Sequence, residues 1–520
     1  MRQRIKAAKR RARAVFRPRA AKMASNPTNT TTTTITNPGP PEAESEIDEE
    51  FVTESITYPR FMIPNLFTGP SPVVDVLETH TSNLQQETVK VCLPFLSAED
   101  EKTKYNIHGV PNLYRKSHIT FLRRSIGPMP AGFITADASR PWFLYWALTG
   151  LSIMGDDVSD LRQAVVDTAR SMQNESGGFG GGGGQRSHLA TTYAVVLSLA
   201  MVGGEEAFEV IDRRALWKWL SRLKQPDGGF QVCVGGEEDI RGAYTASVVI
   251  TLLNLPLDLT QESPAYEADG SMNLLSGVPD YVRRCQTYEG GISGQPDSEA
   301  HGAYAFCALA CLALLDDPRR IIPKYLDLPR LISWLSSRQY APEAGFSGRT
   351  NKLVDGCYSH WVGGCFPLIE ACLRPLDDSP PPAGDDATTP NPPRKPRLPP
   401  ASESLFNREG LIRYILCCCQ DQSRRGGLRD KPGKMSDSYH TCYVLSGLSS
   451  AQHQWDLTAP APTLAAGAGD PVWTVLPYVD DGGVQVYEQE DLVRPIHPVY
   501  AIPQRSQEGM REYFLGKEGF

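Results

Sequence analysis

The sequence predicts an all-α protein made of repeated helix pairs, and three observations support this fold class. A glutamine followed closely by a glycine-rich turn recurs in the 520 residues at Gln173, Gln225, Gln286, Gln339 and Gln420. After each turn comes a segment rich in Ala, Leu and Tyr, and then a more amphipathic segment such as Leu216–Leu223 or Leu328–Leu335. The charge-free run from Ala303 to Leu315 has the length of a buried helix and is too short to cross a membrane.

Tandem helix pairs bury their apolar faces against their neighbours, and they stack into either an open solenoid or a closed ring. The five glutamines lie 52, 61, 53 and 81 residues apart. The longest interval contains residues 376–404, dense in Pro and Asp, where we expect a disordered surface insertion. We also expect a disordered arm at residues 1–50, basic and then rich in Thr and Pro, before a single domain at 51–520.

Charge and cysteine content exclude several function classes. The net charge is −8, but residues 1–22 carry ten basic and no acidic side chains, which leaves −18 for the rest. An acidic body argues against nucleic acid as the main partner. The twelve cysteines are scattered, so we expect reduced thiols in a cytoplasmic protein, with the run Cys417–Cys419 on a helix. The sequence has no stretch of about 18 or more apolar residues, so we expect no integral membrane association.

The starts of the apolar helices are predicted to form a functional rim. The repeats align on the tyrosines Tyr145, Tyr193, Tyr244, Tyr304, Tyr358 and Tyr443. Three residues before them stand Trp142, Ala190, Arg241, His301, Asp355 and His440. Charged groups beside a core are costly unless they bind something, so four of them at one offset favour a ligand site. Water-exposed capping residues are the plain alternative.

Asp355-Gly-Cys357 and His440 form a candidate catalytic metal site. Ligands that offer O, S and N and leave one position open are typical of a catalytic zinc centre. Asp and Cys two residues apart cannot share a face inside a helix, but they can at a helix start, and His440 begins the next apolar helix. Taken alone, Asp-x-Cys is more often an N-cap beside a buried thiol.

Basic residues in the turns before these helices predict an anion-binding mouth. Arg349, Lys352, Lys431 and Lys434 lie there, beside His301 and Arg241, and together they suit a diphosphate. The alternative is that these turn lysines are simply solvated.

Two other motifs are set aside as functional sites. The glycine run 177–184 lacks the context of a nucleotide loop. The cluster 156–160 is acidic but opens a helix, where Asp caps are expected.

Several longer strings resemble the protein prenyltransferase β-subunit family, and its farnesyltransferase branch in particular. They are Asp137-Ala-Ser-Arg-Pro-Trp142 with Trp146, Glu299-Ala-His-Gly302, Asn351-Lys-Leu-Val-Asp-Gly-Cys-Tyr358, Asp430-Lys-Pro-Gly-Lys434 with Tyr439-His-Thr-Cys-Tyr443, and Pro495-Ile-His-Pro-Val-Tyr500. The resemblance runs from Phe121 to Phe520. It implies an α/α barrel (toroid) of six inner and six outer helices, with a deep aromatic cavity and a separate α subunit as heterodimer partner.

The resemblance also implies an activity and its residues. The family's enzymes transfer farnesyl from farnesyl diphosphate to the cysteine of C-terminal CaaX motifs, in substrates such as small GTPases. Zinc is assigned to Asp355, Cys357 and His440, and the leaving diphosphate to His301, Arg349, Lys352, Tyr358 and Arg241. Asp430 and Lys434 are assigned to magnesium and further diphosphate contacts. The substrate pockets are assigned to Trp142, Trp146, Tyr193, Tyr244, Tyr304, Tyr439 and Tyr443.

The rival within the family is the type I geranylgeranyltransferase, whose longer lipid needs a deeper cavity. The bulk of Trp142 and Tyr443 favours farnesyl, as does Asp430, which a lysine replaces in the rival. His360 stands where an aromatic residue is familiar and Thr191 where a proline is, so peptide preference stays open. The 376–404 insertion is also atypical of the family.

Two readings from other classes make distinct predictions. A terpene cyclase would need an acidic Asp-x-Asp-Asp cluster, which the sequence lacks, and would have no use for a Cys and His pair. A non-catalytic helical repeat that binds proteins would bind no metal and would have a solvated rim.

Overall fold

The computed structural model describes residues 61–74, 76–374, 404–457, 473–478, 485–517 and 520. The expected arm at 1–50 and nearly all of the expected insertion at 376–404 lie outside these ranges and stay predictions. Among the described residues, no helix combines the length and apolar character needed to cross a membrane.

The described residues are mainly helical, as predicted. The α-helices, numbered in chain order, are α1 (Asn65–Thr68), α2 (His80–Leu96), α3 (Arg115–Ser125), α4 (Arg140–Ile153), α5 (Arg162–Met172), α6 (Leu189–Val202), α7 (Glu205–Phe208), α8 (Arg213–Leu223), α9 (Ile240–Leu252), α10 (Val278–Arg284), α11 (Gly302–Leu315), α12 (Pro318–Tyr325), α13 (Leu328–Ser336), α14 (Tyr358–Trp361), α15 (Cys365–Cys372), α16 (Arg408–Arg413), α17 (Ser438–Gln452) and α18 (Ser506–Gly516).

Short elements complete the secondary structure. Single 3₁₀ segments span Ala131–Ser139, Ser159–Leu161 and Gln489–Asp491, and a π-helix spans Tyr414–Cys418. Strands β1 (His453–Leu457) and β2 (Trp473–Pro477) pair antiparallel, with His453 opposite Pro477 and Leu457 opposite Trp473. The predicted helical cysteine run therefore ends a π-helix, and Cys417, Cys418 and Cys419 are all buried.

The apolar segments form an inner ring of helices. These are α4, α6, α9, α11, the broken pair α14–α15, and α17; each contacts the next, and α17 packs against α4. Their small and apolar residues allow burial on every side: in α6, every residue except Ala190 is buried. Because the first and last members touch, the repeats close into a ring, which decides between the two stackings left open by the sequence.

The amphipathic segments lie outside this ring and complete the closure. In α8, the buried face carries Leu216, Trp219, Leu220 and Leu223, whereas the opposite face is exposed to solvent.

The last glycine turn packs against α3, which lies far upstream in the chain. The Gly427 N–H donates to His118 Nδ1 at 2.9 Å. A Cβ on Gly426, whose φ is +69°, would lie 2.5 Å from the Ser117 carbonyl oxygen, so only glycine fits this contact.

The inner helices begin with side-chain caps at one end of the ring. Side chains of His188, Asp239, His301 and Asp437 accept N–H groups at the starts of α6, α9, α11 and α17. The Asp355 carboxylate accepts the Cys357 N–H at 2.9 Å, just before α14. These caps bring the predicted rim residues to the same end of the ring.

Candidate metal centre and aromatic cavity

Asp355, Cys357 and His440 lie together, although the chain separates them by up to 85 residues. One possible ligand atom from each, a carboxylate oxygen, Sγ and a ring nitrogen, lies within 4.8 Å of the other two. The His440 Nε2 atom is 3.1 Å from Asp355 Oδ1. Among the residues that the structure describes, this is the one group of three or more His, Cys, Asp or Glu side chains with metal-ligand spacing.

Both ring nitrogens of His440 face carboxylates. Nδ1 lies 2.7 Å from Asp437 Oδ2, and Nε2 faces Asp355. Burial lowers the pKa of His440, but hydrogen bonds and the charges of Asp355 and Asp437 outweigh it and raise the pKa to about 10. The two carboxylates therefore favour positive charge at Nε2, whether a proton or a metal cation supplies it.

Cys357 is buried and has a tyrosine as its polar neighbour. Burial, followed by the nearby charge of Asp355, raises the pKa of the Cys357 thiol well above its ordinary value. The Tyr439 hydroxyl is within hydrogen-bond reach of the sulfur, and it accepts the Trp361 indole N–H at 3.1 Å. A thiolate at this place needs a neighbouring cation to balance its charge.

The three side chains fit a zinc ion. Two ligands about 2.0 Å from a tetrahedral zinc ion are about 3.3 Å apart, close to the observed His440–Asp355 spacing. A mixed O, S and N donor set suits zinc. The Asp437 carboxylate on Nδ1 is the outer partner that metal-bound histidines usually have, because it fixes the tautomer that leaves Nε2 free to bind.

A cavity of about 340 Å³ opens beside this cluster. Its lining is mostly aromatic, with one arginine and one histidine as the ionisable nitrogen groups. The lining residues are Trp142, Tyr145, Trp146, Ala190, Tyr193, Arg241, Tyr244, Thr245, His301, Ala303, Phe306, Cys307, Tyr358, Trp361, Tyr439, Tyr443 and Ala501. Such a lining accommodates a long apolar ligand with a polar head.

Aromatic contacts hold the cavity wall together. Trp142 stacks on Trp146 with ring centroids 5.8 Å apart, and Trp146 meets Tyr439 edge-on at 5.4 Å. Tyr439 in turn lies 5.1 Å from the His440 ring. The wall of the cavity is therefore continuous with the candidate metal site.

Tyr304 lies at the rim beside two residues that line the cavity, and its assignment to the substrate pocket stays a prediction. Its ring lies 5.4 Å from the His301 ring and 6.0 Å from the Arg241 guanidinium carbon. Tyr193 and Tyr244 stand five residues after their helix caps, whereas Tyr304 stands only three after His301. Phe306 takes the fifth position after His301 and lines the cavity.

His301 and Tyr358 form a polar pair at the mouth. The His301 Nδ1 accepts the Ala303 N–H at 3.1 Å, so the neutral ring carries its proton on Nε2, which faces the Tyr358 hydroxyl at 3.3 Å. Burial and then the charge of Arg349 lower the pKa of His301. Both side chains can therefore offer hydrogen to an oxygen ligand at the mouth.

The predicted basic groups meet acidic partners at this end. Arg349 pairs with Glu299, and Arg241 pairs with Asp239, with Nε to Oδ2 at 3.0 Å. The Lys431 ammonium contacts Asp430 at 2.5 Å. Lys352 and Lys434 are exposed. The mouth thus carries positive charges interleaved with carboxylates, and it is less uniformly positive than the sequence pattern predicts.

Asp430 lies close enough to the Asp355, Cys357 and His440 group for its pKa to be affected. Burial and the charge of Asp355 raise the pKa of its carboxyl group. Its backbone carbonyl accepts the Gly356 N–H at 2.9 Å, which ties this turn to the Asp355–Cys357 segment.

Sequence reasoning missed three acidic residues that orient predicted ones: Asp437 on His440, Asp239 on Arg241 and Glu299 on Arg349. Asp437 and Asp239 had a usable signal, because each precedes an apolar helix as an N-cap. Glu299 had no comparable signal, although it lies in the family-like segment Glu299-Ala-His-Gly302.

The two motifs that were set aside have structural roles. The Arg123 side chain binds Asp156 at 2.7 Å and Asp160 at 2.8 Å, which occupies the acidic cluster. The glycine run packs closely against the segment before α4: a Cβ on Gly181 would lie 2.3 Å from the Ala138 carbonyl oxygen.

Comparisons with known proteins agree with this geometry. Residues 113–502 match the family described as the prenyltransferase alpha-alpha toroid domain. The chain is 56% identical to the protein farnesyltransferase subunit beta of Pyricularia oryzae, over 91% of this chain and 90% of that one. The chain belongs to the protein farnesyltransferase β-subunit family.

More distant members of the wider prenyltransferase family are also similar. The geranylgeranyl transferase type-1 subunit beta of Arabidopsis thaliana is 26% identical over 66% of this chain and 86% of that one. The Candida albicans protein geranylgeranyltransferase-I complexed with GGPP matches with a TM-score of 0.55 at 18% identity, over 78% of this chain and 99% of that chain. The latter supports the toroid fold alone, and the identities favour the farnesyltransferase branch.

Proposed function

We propose that this chain is the catalytic β subunit of a protein farnesyltransferase. It transfers the farnesyl group of farnesyl diphosphate to the cysteine of a C-terminal CaaX sequence. The observation that carries the proposal is the Asp355, Cys357 and His440 cluster at the mouth of an aromatic cavity. A lipid site next to a zinc-ligand set is what a thiol-prenylating enzyme needs.

Asp355, Cys357 and His440 would hold one zinc ion, and the fourth position would take the substrate thiol. Zinc bound there lowers the pKa of that thiol, so that the thiolate is available at neutral pH. Asp437 keeps the His440 ring oriented, and Tyr439 contacts the Cys357 sulfur. These outer contacts fix the ligand atoms before substrate arrives.

The cavity binds the isoprenoid and excludes water from the reacting carbon. Trp142, Trp146 and Tyr439 form the wall nearest the cluster. Exclusion of water matters because water would otherwise compete with the thiolate for the allylic carbon.

His301, Tyr358, Arg241, Arg349 and Lys352 are placed to bind the diphosphate at the mouth. The sulfur–carbon bond forms at the first carbon of the lipid as the carbon–oxygen bond to diphosphate breaks. The thiol proton passes to solvent, and the leaving group takes the negative charge. Hydrogen-bond donors and cations at that position stabilise the charge as it develops. Asp430 would hold a magnesium ion that neutralises part of the diphosphate charge, and Lys434 would contact the diphosphate.

Farnesyl is the preferred lipid in this proposal because Trp142 and Tyr443 fill the cavity with bulk. The names of the more similar relatives point the same way. The partner is a farnesyltransferase α subunit, the protein substrates end in CaaX, and the enzyme works in the cytoplasm.

The test is isoprenoid transfer by the chain co-expressed with its α subunit. Peptides ending in Cys-Val-Ile-Met and Cys-Val-Ile-Leu compete, with farnesyl and geranylgeranyl diphosphate both present. Farnesylation of the Met peptide, lost on zinc chelation, is the expected result. Geranylgeranylation of the Leu peptide would move the chain to the sister enzyme. No transfer by an intact, zinc-loaded heterodimer would mean that the chain is a helical scaffold.

A further inference from the structure

The C-terminal part of the chain contributes to the cavity lining, one helical turn inside the rim. The segment 496–503 follows the β1–β2 hairpin and lies across the inner helices, where Ala501 reaches the cavity. Ala501 is 2% exposed, and it is the one cavity-lining residue of the described chain that is not on an inner helix or at its start. The repeats supply the walls, and this segment supplies the floor.

Three tyrosines of the wall hold the floor in place. The Tyr145 hydroxyl donates to the Ala501 carbonyl at 2.6 Å, and the Tyr244 hydroxyl donates to the Val499 carbonyl at 2.7 Å. The Tyr193 hydroxyl lies between them, 3.3 Å from the Tyr500 carbonyl. These helices, α4, α6 and α9, are consecutive around the ring. Their hydroxyls therefore bind the floor backbone and leave only ring faces toward the cavity.

The floor segment is also held by its own turn. The His497 N–H donates to the Ile502 carbonyl at 2.8 Å, and the Ala501 N–H donates to the His497 carbonyl at 3.0 Å. The His497 ring packs 5.9 Å from Trp455 of β1 and 4.9 Å from Tyr500. Since both sides of the segment are bonded, the floor cannot recede without breaking several contacts.

Ala501 itself adopts a left-handed conformation, with φ of 54°. This backbone is strained for a residue with a Cβ, and glycine would adopt it freely. The chain nevertheless carries a Cβ there, at a residue that lines the cavity.

We propose that the segment 496–503 is a second determinant of isoprenoid length, with Ala501 as the residue that sets the cavity depth. This inference rests on the proposed function, because it assumes that the cavity binds an isoprenyl diphosphate with its head at His301 and Tyr358. Trp142 and Tyr443 limit the lipid from the wall, and the floor limits its length from the far end.

Direct binding tests the proposal without requiring transfer. The heterodimer is titrated with geranyl, farnesyl and geranylgeranyl diphosphate, and binding is followed by fluorescence of the tryptophans that line the cavity. Ala501→Gly lowers the floor by one carbon and relieves the backbone. Ala501→Leu raises the floor by three carbons without branching at Cβ. Ala344→Gly is the matched control, since Ala344 is buried with φ of 65° and does not line the cavity.

We expect Ala501→Gly to raise the affinity for geranylgeranyl relative to farnesyl diphosphate by roughly threefold to tenfold. Ala501→Leu should weaken farnesyl binding by about tenfold or more while leaving geranyl diphosphate much less affected. Tyr145→Phe, which releases the Ala501 carbonyl, should shift the preference in the same direction as Ala501→Gly.

The outcomes separate the two hypotheses. If the wild-type heterodimer binds none of the three diphosphates, the proposed function fails and this inference with it. If it binds farnesyl diphosphate but all variants at position 501 keep the wild-type order of affinities, the inference alone is overturned. An equal shift in Ala344→Gly would also overturn it, because the effect would then come from backbone relaxation.

Discussion

The His440 Nε2 atom lies 3.1 Å from Asp355 Oδ1, although 85 residues separate them in the chain. Each residue stands at the start of a different inner helix, α17 or α14, and ring closure brings those starts together. Both side chains have a second anchor, Asp437 for His440 and the Cys357 N–H for Asp355. The candidate metal site is therefore preorganised by the same caps that begin the helices.

Removal of a ligand should remove the metal and the activity together. Cys357→Ala and His440→Ala each leave two of three protein ligands, so bound zinc and the transfer rate should both fall by at least about a hundredfold. Atomic absorption on the purified heterodimer measures the metal, and labelled farnesyl transfer measures the rate. Cys442→Ala, which removes a buried thiol on the same helix as His440, is the control and should retain both. Full zinc and full rate in either ligand variant would show that the metal is held elsewhere.

Asp437 should tune metal affinity from outside the ligand set. Asp437→Asn keeps a capping side chain but removes the negative charge that orients the His440 ring. Zinc should therefore bind about 10- to 100-fold more weakly. Competition with a chelator measures this directly. Asp239→Asn is the matched control, because Asp239 caps α9 but faces Arg241 rather than a metal ligand. Equal loss in both variants would attribute the effect to capping alone.

The sequence predicted that Asp355, Cys357 and His440 meet, because repeats convert a long separation into a neighbouring position. It also predicted the all-α class from the repeated turns and a buried helix at 303–315 from the charge-free run, which the structure shows as Gly302–Leu315. The rim position of Tyr304 could not be predicted, because the number of residues from helix cap to tyrosine varies between repeats. The floor at Ala501 was missed because that segment has no repeat partner to align with, and its position depends on tertiary hydrogen bonds.

Trp142 should exclude longer lipids from the wall side. Trp142→Thr removes an indole that stacks on Trp146 and whose ring centroid lies 6.0 Å from that of Tyr193. The substitution therefore opens space between α4 and α6. Preference for geranylgeranyl over farnesyl diphosphate should rise by about tenfold or more. Competition between the two diphosphates in the transfer assay measures the ratio. Trp217→Phe, on the outer helix α8, is the control. An unchanged ratio in Trp142→Thr would refute the role of bulk at this position.

Buried histidines should make the folded chain sensitive to acid. His118 is fully buried: its Nδ1 accepts the Gly427 N–H, so its proton lies on Nε2, which donates to Gln420 Oε1 at 2.9 Å. Burial lowers the pKa of His118 from 6.5 to about 4, and burial likewise lowers that of His497 to about 3. The unfolded chain therefore binds protons before the folded one does. Stability is fully present above pH 6.5 and is lost as the pH falls toward 4.

At pH 5, the His118 shift alone should lower the free energy of unfolding by about 2 kcal/mol relative to pH 7. Thermal unfolding of the heterodimer between pH 7 and 5 measures the slope. His118→Gln cannot take up the proton, so its melting temperature, although lower at neutral pH, should depend less steeply on pH than that of the wild type. His80→Gln, at an exposed histidine, should keep the wild-type slope. If His118→Gln also keeps that slope, protonation of His118 is not what weakens the closure between α3 and the last glycine turn.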